Sequence, residues 1–172
     1  MENLMQDVMI RTFRSGDEAA LWSLLEPVFR AGDTYAIDAD ISREAALAYW
    51  CGPGRVVHMV EIAGEVVGSY YLVRNQGGGG SHVCNCGFVT GPAARGKGIA
   101  RAMLDHALTA AARAGFRAMQ FNFVISTNTR AIDIWQRAGF EVVGRLPGAF
   151  LHPVQGYVDA LVMFRGLGDI AP

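Results

Sequence analysis

Arg95-Gly96-Lys97-Gly98-Ile99-Ala100 is the stretch on which the fold turns. An apolar run ending in Val89-Thr90-Gly91-Pro92 leads into it, and a helix-patterned segment continues from it to residue 113. Two glycines in a short basic turn let the backbone come close to an anion. The first amides of the following helix lack intrahelical partners and carry the positive end of its dipole. Unpaired N–H groups and dipole then act on one point, which suits phosphate or pyrophosphate oxygens. A short Gly-Lys-Gly turn can equally be a turn and nothing more, so its flanks decide. Ala100, Met103, Leu104, Ala107, Leu108 and Ala111 fall on one helical face, with Arg101, Asp105, Thr109 and Arg113 on the other. The pattern is amphipathic, and Gly115 supplies its stop.

Residues 82–90 read as the strand entering the turn and residues 116–125 as the strand after the helix. The connection is long enough for a parallel crossover. Only Arg117, Gln120 and Asn122 interrupt the second strand's apolar run, which predicts a central position. Towards the N-terminus a hairpin is expected from residues 56–62 and 66–73. Before it come a strand over 8–14, a helix capped by Ser15-Gly16-Asp17-Glu18, a loop over 32–40 and a second helix from Ser42 to Trp50. Pro27 is expected to bend or shorten the first helix. Residues 75–81, with four consecutive glycines, read as a mobile connector. Beyond residue 125, Ser126-Thr127-Asn128-Thr129 offers caps for a short helix that Gly139 ends. A strand over 140–146, a loop over 147–156, a last strand over 157–165 and a frayed tail complete the chain. The order βααβββαβαββ predicts an α/β, three-layer domain, a mixed sheet with helices on both faces.

With 51% hydrophobic and 18% charged residues, all 172 residues are expected to form one domain with its own core. The net charge of −1 lacks the basic excess a nucleic-acid or anionic-membrane binder needs. The first seven residues have no signal-peptide pattern, and no apolar run reaches the ~18 residues of a membrane span. Cys51, Cys84 and Cys86 form no zinc pattern and are odd in number, so buried thiols in a reducing cytoplasm are expected and no metal is assigned.

The sequence resembles the GCN5-related N-acetyltransferase (GNAT) family. Residues 95–100 fit that family's R/Q-x-x-G-x-G/A pyrophosphate loop at every defined position, and Asn128, Ala131 and Gly139-Phe140 fit its second motif. The element order agrees from Val8 to Arg165. The resemblance implies acetyl-CoA as cosubstrate, acetyl transfer to an amine, and a splayed pair of parallel strands forming the CoA cleft. A backbone N–H near Phe88 to Thr90 would meet the thioester carbonyl, an oxyanion-type contact. It thus assigns Val89, Thr90, Arg95, Gly96, Lys97, Gly98, Ile99, Ala100 and Asn128 to the cofactor. Where the family usually carries a proton-donating tyrosine stands Trp135, whose indole is no acid at neutral pH. Core packing is its expected role, leaving Tyr157 and water as donors. A homodimer is also raised, since such enzymes are often dimers and the apolar C-terminal strands could pair across chains.

A narrower resemblance, to the fungal proline-analogue (azetidine-2-carboxylate) acetyltransferases and their bacterial relatives, rests on residues 81–88, 121–124, Asn128 and 157–160. It implies that Asn85 and Asn122 contact a small amino-acid substrate, and Tyr35 is assigned with them. Asparagine is disfavoured in apolar strands, and leaving either unsatisfied would cost ~1–3 kcal/mol, so pairing with a strand edge or water is the plain alternative. For Asn128 the alternative is helix capping. Lys97 is either a phosphate contact or a solvated loop residue. Asp159 is a candidate for binding an ammonium or relaying a proton, against a structural carboxylate. A lysine amine, with pKa near 10.4, needs ~4 kcal/mol to reach its reactive form at neutral pH, an α-amine about 1 kcal/mol. No strong base stands out, so water-relayed deprotonation of a small substrate's amine is expected, with Asn122 and Asp159 as catalytic candidates. Protein N-terminal or lysine acetylation and a non-catalytic CoA-binding module remain as alternatives.

Overall fold

The computed structural model describes residues 8–94 and 96–170. Arg95, expected in the pyrophosphate turn, lies outside the described residues. In chain order the elements are β1 (Val8–Thr12), α1 (Glu18–Ala31), α2 (Arg43–Trp50), β2 (Val56–Ile62), β3 (Glu65–Arg74), β4 (Val83–Thr90), α3 (Ile99–Arg113), β5 (Ala118–Ile125), α4 (Thr129–Arg137), β6 (Glu141–His152) and β7 (Gly156–Gly166). The seven strands form one sheet ordered β1-β2-β3-β4-β5-β7-β6. Its neighbours are antiparallel except β4 and β5, which α3 joins in parallel.

Strand alternation sorts the side chains into two cores. Tyr70 and Leu72 of β3, with Cys84 and Cys86 of β4, pack with Met103, Leu104 and Ala107 of α3. Tyr71 and Val89 turn to the opposite face and pack with Leu21, Leu25 and Phe29 of α1 and Trp50 of α2. The sheet is therefore the middle of three layers. Pro27 does not end α1, which runs on to Ala31. Ser42 caps α2 by accepting from the Ala45 N–H at 3.1 Å, worth about 1 kcal/mol. At the other end of α2 the buried Trp50 indole donates to Ser69 Oγ at 3.1 Å, and that hydroxyl donates to the His58 carbonyl at 2.8 Å. Arg11 ties β1 to the start of α1 and to β2, donating to Asp17 at 2.7 and 2.9 Å and to Glu61 at 2.8 Å.

Two expectations need correction. β1 ends at Thr12 rather than Arg14, because the Arg14 N–H turns to Asp17 Oδ2 at 2.8 Å to start α1. More substantially, the expected loop over 147–156 is mostly strand, since β6 runs on to His152. The Pro147-Gly148 stretch is absorbed in a bulge between Leu146 and Phe150. β6 is an edge strand, where a missing proline N–H costs no ladder bond. Gly148 takes a positive φ of 58° and donates its N–H to Asp159 Oδ1 at 2.9 Å. Residues 75–81 contain a 3₁₀ turn over Gly78–Gly80. Among the described residues, no helix is long and apolar enough to cross a membrane.

Candidate active site

β4 and β5 pair only at Val83↔Ala118 and Cys84↔Met119, then part. Just past the last rung the Asn85 side chain donates from Nδ2 to the Gln120 carbonyl at 2.9 Å, so an amide side chain replaces the next backbone bond. Beyond it β4 presents a free edge to the cleft. The Phe88 carbonyl on that edge accepts from the Tyr35 hydroxyl at 2.6 Å. A strand residue points its N–H and C=O to the same edge, so the Phe88 N–H faces the cleft too. The Gly91 N–H bonds the Val67 carbonyl, which places Val89 and Gly91 on the β3 side and Phe88 and Thr90 on the cleft side.

Two chambers meet at this parting. The larger, about 630 Å³, lies between the end of β4, the glycine turn and α4, and is lined by Val89, Thr90, Gly96, Gly98, Ile99 and Ala100 among others. Gly96 and Gly98 have φ of 79° and 77°, a left-handed backbone that favours glycine, and neither would meet an atom within 4 Å through an added Cβ. Backbone conformation, not packing, favours glycine there. Gly98 is the N-cap of α3 and carries no side-chain cap, so the first helix amides stay open to a ligand. A fifteen-residue helix also brings its dipole to the same point. The Lys97 N–H bonds the Ala94 carbonyl at 3.2 Å, and its residue does not line the chamber.

The smaller chamber, about 340 Å³, is lined by Asn85, Asn122, Tyr35 and Tyr71 among others, with the loop at Thr34–Ile37 over it. Tyr35 packs edge-on against Phe29 and Trp50 at 5.6 and 5.9 Å. Asn122 sits where β5 breaks register with β7, between Phe121 and Val124. Its Oδ1 accepts from Gln120 at 2.9 Å and its Nδ2 donates to Asn75 at 2.7 Å. Thr34, Phe88, Asn128, Ala131 and Trp135 border both chambers. Asn128 caps α4 by accepting from the Ala131 N–H at 3.4 Å, so capping and a place at the junction coexist. The Trp135 ring is 8% exposed and lies 5.1 Å from both Phe88 and Phe121, a packed wall between the chambers.

Asp159 is placed elsewhere. It lines neither chamber and is held by Arg145 at 3.0 Å and by the Gly148 N–H, so its carboxylate secures the β6 bulge instead of facing the cleft. Tyr157 is 78% exposed and also lines neither chamber. His152 Nδ1 accepts from the Val154 and Gln155 N–H groups at 3.2 Å and closes the β6–β7 turn. Burial pushes the Cys84 thiol up to about 12 and the Cys86 thiol well above its ordinary range, so neither supplies a thiolate at neutral pH.

One chamber residue carries no signal in the sequence. Arg55, at the mouth of β2, lies with its guanidinium 4.2 Å from the ring centroids of both Tyr49 and Tyr71 and donates to the Tyr49 carbonyl. Tyr71 reaches it only because Val57 pairs with Tyr71 across the β2–β3 hairpin. An arginine just after Cys51-Gly52-Pro53-Gly54 is otherwise an ordinary turn residue.

Residues 19–140 match the family described as acetyltransferase (GNAT). The N-acetyltransferase aca1 of Schizosaccharomyces pombe is 32% identical over 148 residues, covering 76% of this chain and 71% of that protein. A GCN5-related N-acetyltransferase structure from Kribbella flavida matches with TM-score 0.89 and 38% identity, over 94% of this chain and 99% of that one. A GNAT-superfamily phosphinothricin acetyltransferase from Sinorhizobium meliloti, in complex with acetyl-CoA, shares the fold at TM-score 0.82 and 21% identity, over 95% and 90% of the two chains.

Proposed function

Because the chain belongs to the acetyltransferase (GNAT) family, and is an N-acetyltransferase with acetyl-CoA as cosubstrate, we propose that its acceptor is the amine of a small molecule: an amino acid, an imino acid or an analogue. The observation that carries this reading is the size and cover of the inner chamber. At about 340 Å³ under the Thr34–Ile37 loop, it suits one small molecule over Asn85 and Asn122 and leaves little room for an extended peptide.

In this reading the pyrophosphate rests on the amides of Gly96, Gly98, Ile99 and Ala100, and the pantetheine arm runs past Val89, Thr90 and Asn128. The thioester supplies an activated acetyl group. The Phe88 N–H stabilises the negative charge that grows on its carbonyl oxygen. Asn85, Asn122 and Tyr35 hold the acceptor. Its neutral amine attacks the acetyl carbon in one ternary complex, forming N–C and breaking C–S. Coenzyme A leaves as a thiolate, which its pKa of about 8.5 allows without a dedicated acid. The amine's proton passes to water, since among the described residues neither histidine nor carboxylate lines the inner chamber. We read all of residues 1–172 as this one domain, acting in the cytoplasm. Val143 and Leu151, exposed at 58% and 62% on the β6 edge, support a homodimer through the C-terminal strands.

A thiol-release screen with acetyl-CoA over amino acids, proline analogues, polyamines and peptides tests the reading. Release with small amino or imino acids is expected. Release with peptides alone, or acetyl-CoA binding without release from any amine, would overturn it.

A further inference from the structure

We infer that Arg55 is the carboxylate-binding group of the inner chamber, so that the acceptor is an amine that also carries a carboxylate. The inference rests on the small-molecule reading above and narrows it. Of the described residues lining the inner chamber, Arg55 alone carries a formal charge at neutral pH. The rest of the wall is apolar, aromatic or neutral polar. Among the described residues, no carboxylate lies within the 4.0 Å that defines an ion pair with it.

Its setting holds the cation without neutralising it. The guanidinium sits in a corner between two mutually perpendicular tyrosine rings, 4.2 Å from each centroid, and the Tyr49 carbonyl takes one N–H. A guanidinium has five donors in a fork that matches a carboxylate, so most of them remain for a ligand. Tyr71, one wall of that corner, is 4% exposed and lies over Gly87 of β4, the residue before Phe88. The clamp is thereby set against the same strand that offers its N–H to the cleft. Arg55 does not line the loop-side chamber, so it is not placed to serve the cosubstrate's phosphates.

The same pairing aids the chemistry. A free amino acid's own carboxylate favours its ammonium form, because an opposite charge nearby stabilises the cation. Offsetting that carboxylate with Arg55 lowers the bound amine's pKa and raises the reactive neutral fraction without a protein base. A polyamine would instead meet an unmatched like charge.

The test compares L-alanine and L-proline with their carboxamides in a thiol-release assay, on wild type, Arg55→Gln and Arg55→Lys. Wild type should turn over the acids with kcat/KM roughly 10–100-fold above the amides, the range expected for charged hydrogen bonds. Arg55→Gln should lower the acids by a similar factor, leave the amides within about threefold, and move the kcat pH profile for the acids upward. Arg55→Lys should restore part of the preference. Equal use of acids and amides by wild type would overturn the inference with the small-molecule reading intact, and needs no variant to fold. Equal loss on both substrates in Arg55→Gln would do the same. Turnover of peptides alone would remove both.

Discussion

Gly87→Ala separates the two halves of the site with a single methyl group. Gly87 lies in β4 opposite Tyr71, and a Cβ there would fall 2.4 Å from Tyr71 Cε1, 2.6 Å from Cζ and 2.8 Å from the hydroxyl oxygen. Ordinary carbon contacts lie near 3.5–4.0 Å, so the ring must retreat by roughly 1 Å. It has little freedom to do so. Trp50 stands edge-on at 5.0 Å, Tyr49 at 6.4 Å, and Arg55 lies over its face. Overpacking of this kind costs ~1–3 kcal/mol, which at ~2–4 °C per kcal/mol lowers Tm by roughly 2–12 °C. Displacing Tyr71 also weakens one of the two cation–π contacts of Arg55, worth ~0.5–1 kcal/mol, and narrows the inner chamber. Acceptor kcat/KM should therefore fall by about tenfold, near 1.4 kcal/mol. Acetyl-CoA affinity, followed by calorimetry, should stay within about twofold, because neither Gly87 nor Tyr71 lines the loop-side chamber. Unchanged Tm and acceptor kinetics would refute the account of Gly87. A matching loss of acetyl-CoA affinity would refute the separation of the chambers.

Gly98→Asp places a side chain at φ 77° and a negative charge at the opening of α3. It should raise the acetyl-CoA Kd by ~100-fold or more while the circular dichroism spectrum stays folded, and retained affinity would count against the anion cradle. Replacing Cys84 and Cys86 together by alanine should leave turnover with a folded protein, since buried, protonated thiols do not take up the acetyl group; loss of turnover with acetyl-CoA binding intact would point to an acyl-enzyme. Stability should fall in two stages with acid. Burial lowers the pKa of His58 and of His106 below the ordinary 6.5, so folding disfavours their protonation and stability declines as pH drops through that region. Asp17, held below its ordinary 3.8 chiefly by the Arg11 hydrogen bond, contributes stability above that value and loses it as pH falls through its lowered pKa. Thermal melts of wild type and Asp17→Asn across pH 2–8 should differ near neutrality and converge at the acid end.

The layered α/β fold was legible because local signals agreed. Gly98 opens α3, the face from Ala100 to Ala111 is apolar, and Asn128 caps α4, each readable within a few residues. The end of β6 was not legible, because Pro147-Gly148 speaks locally for a loop. What holds the strand together is Asp159, across the sheet and eleven positions away. The same bond explains why Asp159 misleads as a catalytic candidate: its chemistry suits the role, but its position is set by a bulge that sequence spacing does not reveal. Asn85 and Asn122, which both line the inner chamber, stand out in the sequence because amides are out of place in apolar strands. That Asn85 also closes the β4–β5 parting depends on where two distant strands stop pairing. Arg55 had no local signal, since its setting depends on two tyrosines that the hairpin and α2 bring to it.

The chambers differ in building material. The loop-side one depends chiefly on main chain: the free edge of β4, two left-handed glycines and the open amides of α3. The inner one depends on side chains from the Thr34–Ile37 loop, α2, β3 and β5. Main-chain recognition survives most substitutions, whereas side-chain recognition changes with each. On the proposed assignment, acceptor choice changes with a handful of side chains while the seat of the acetyl donor stays as it is. Redesign has the same route: new acceptor chemistry at positions 35, 49, 55, 71, 85 and 122, with the glycine turn and the junction at Phe88 and Trp135 left alone.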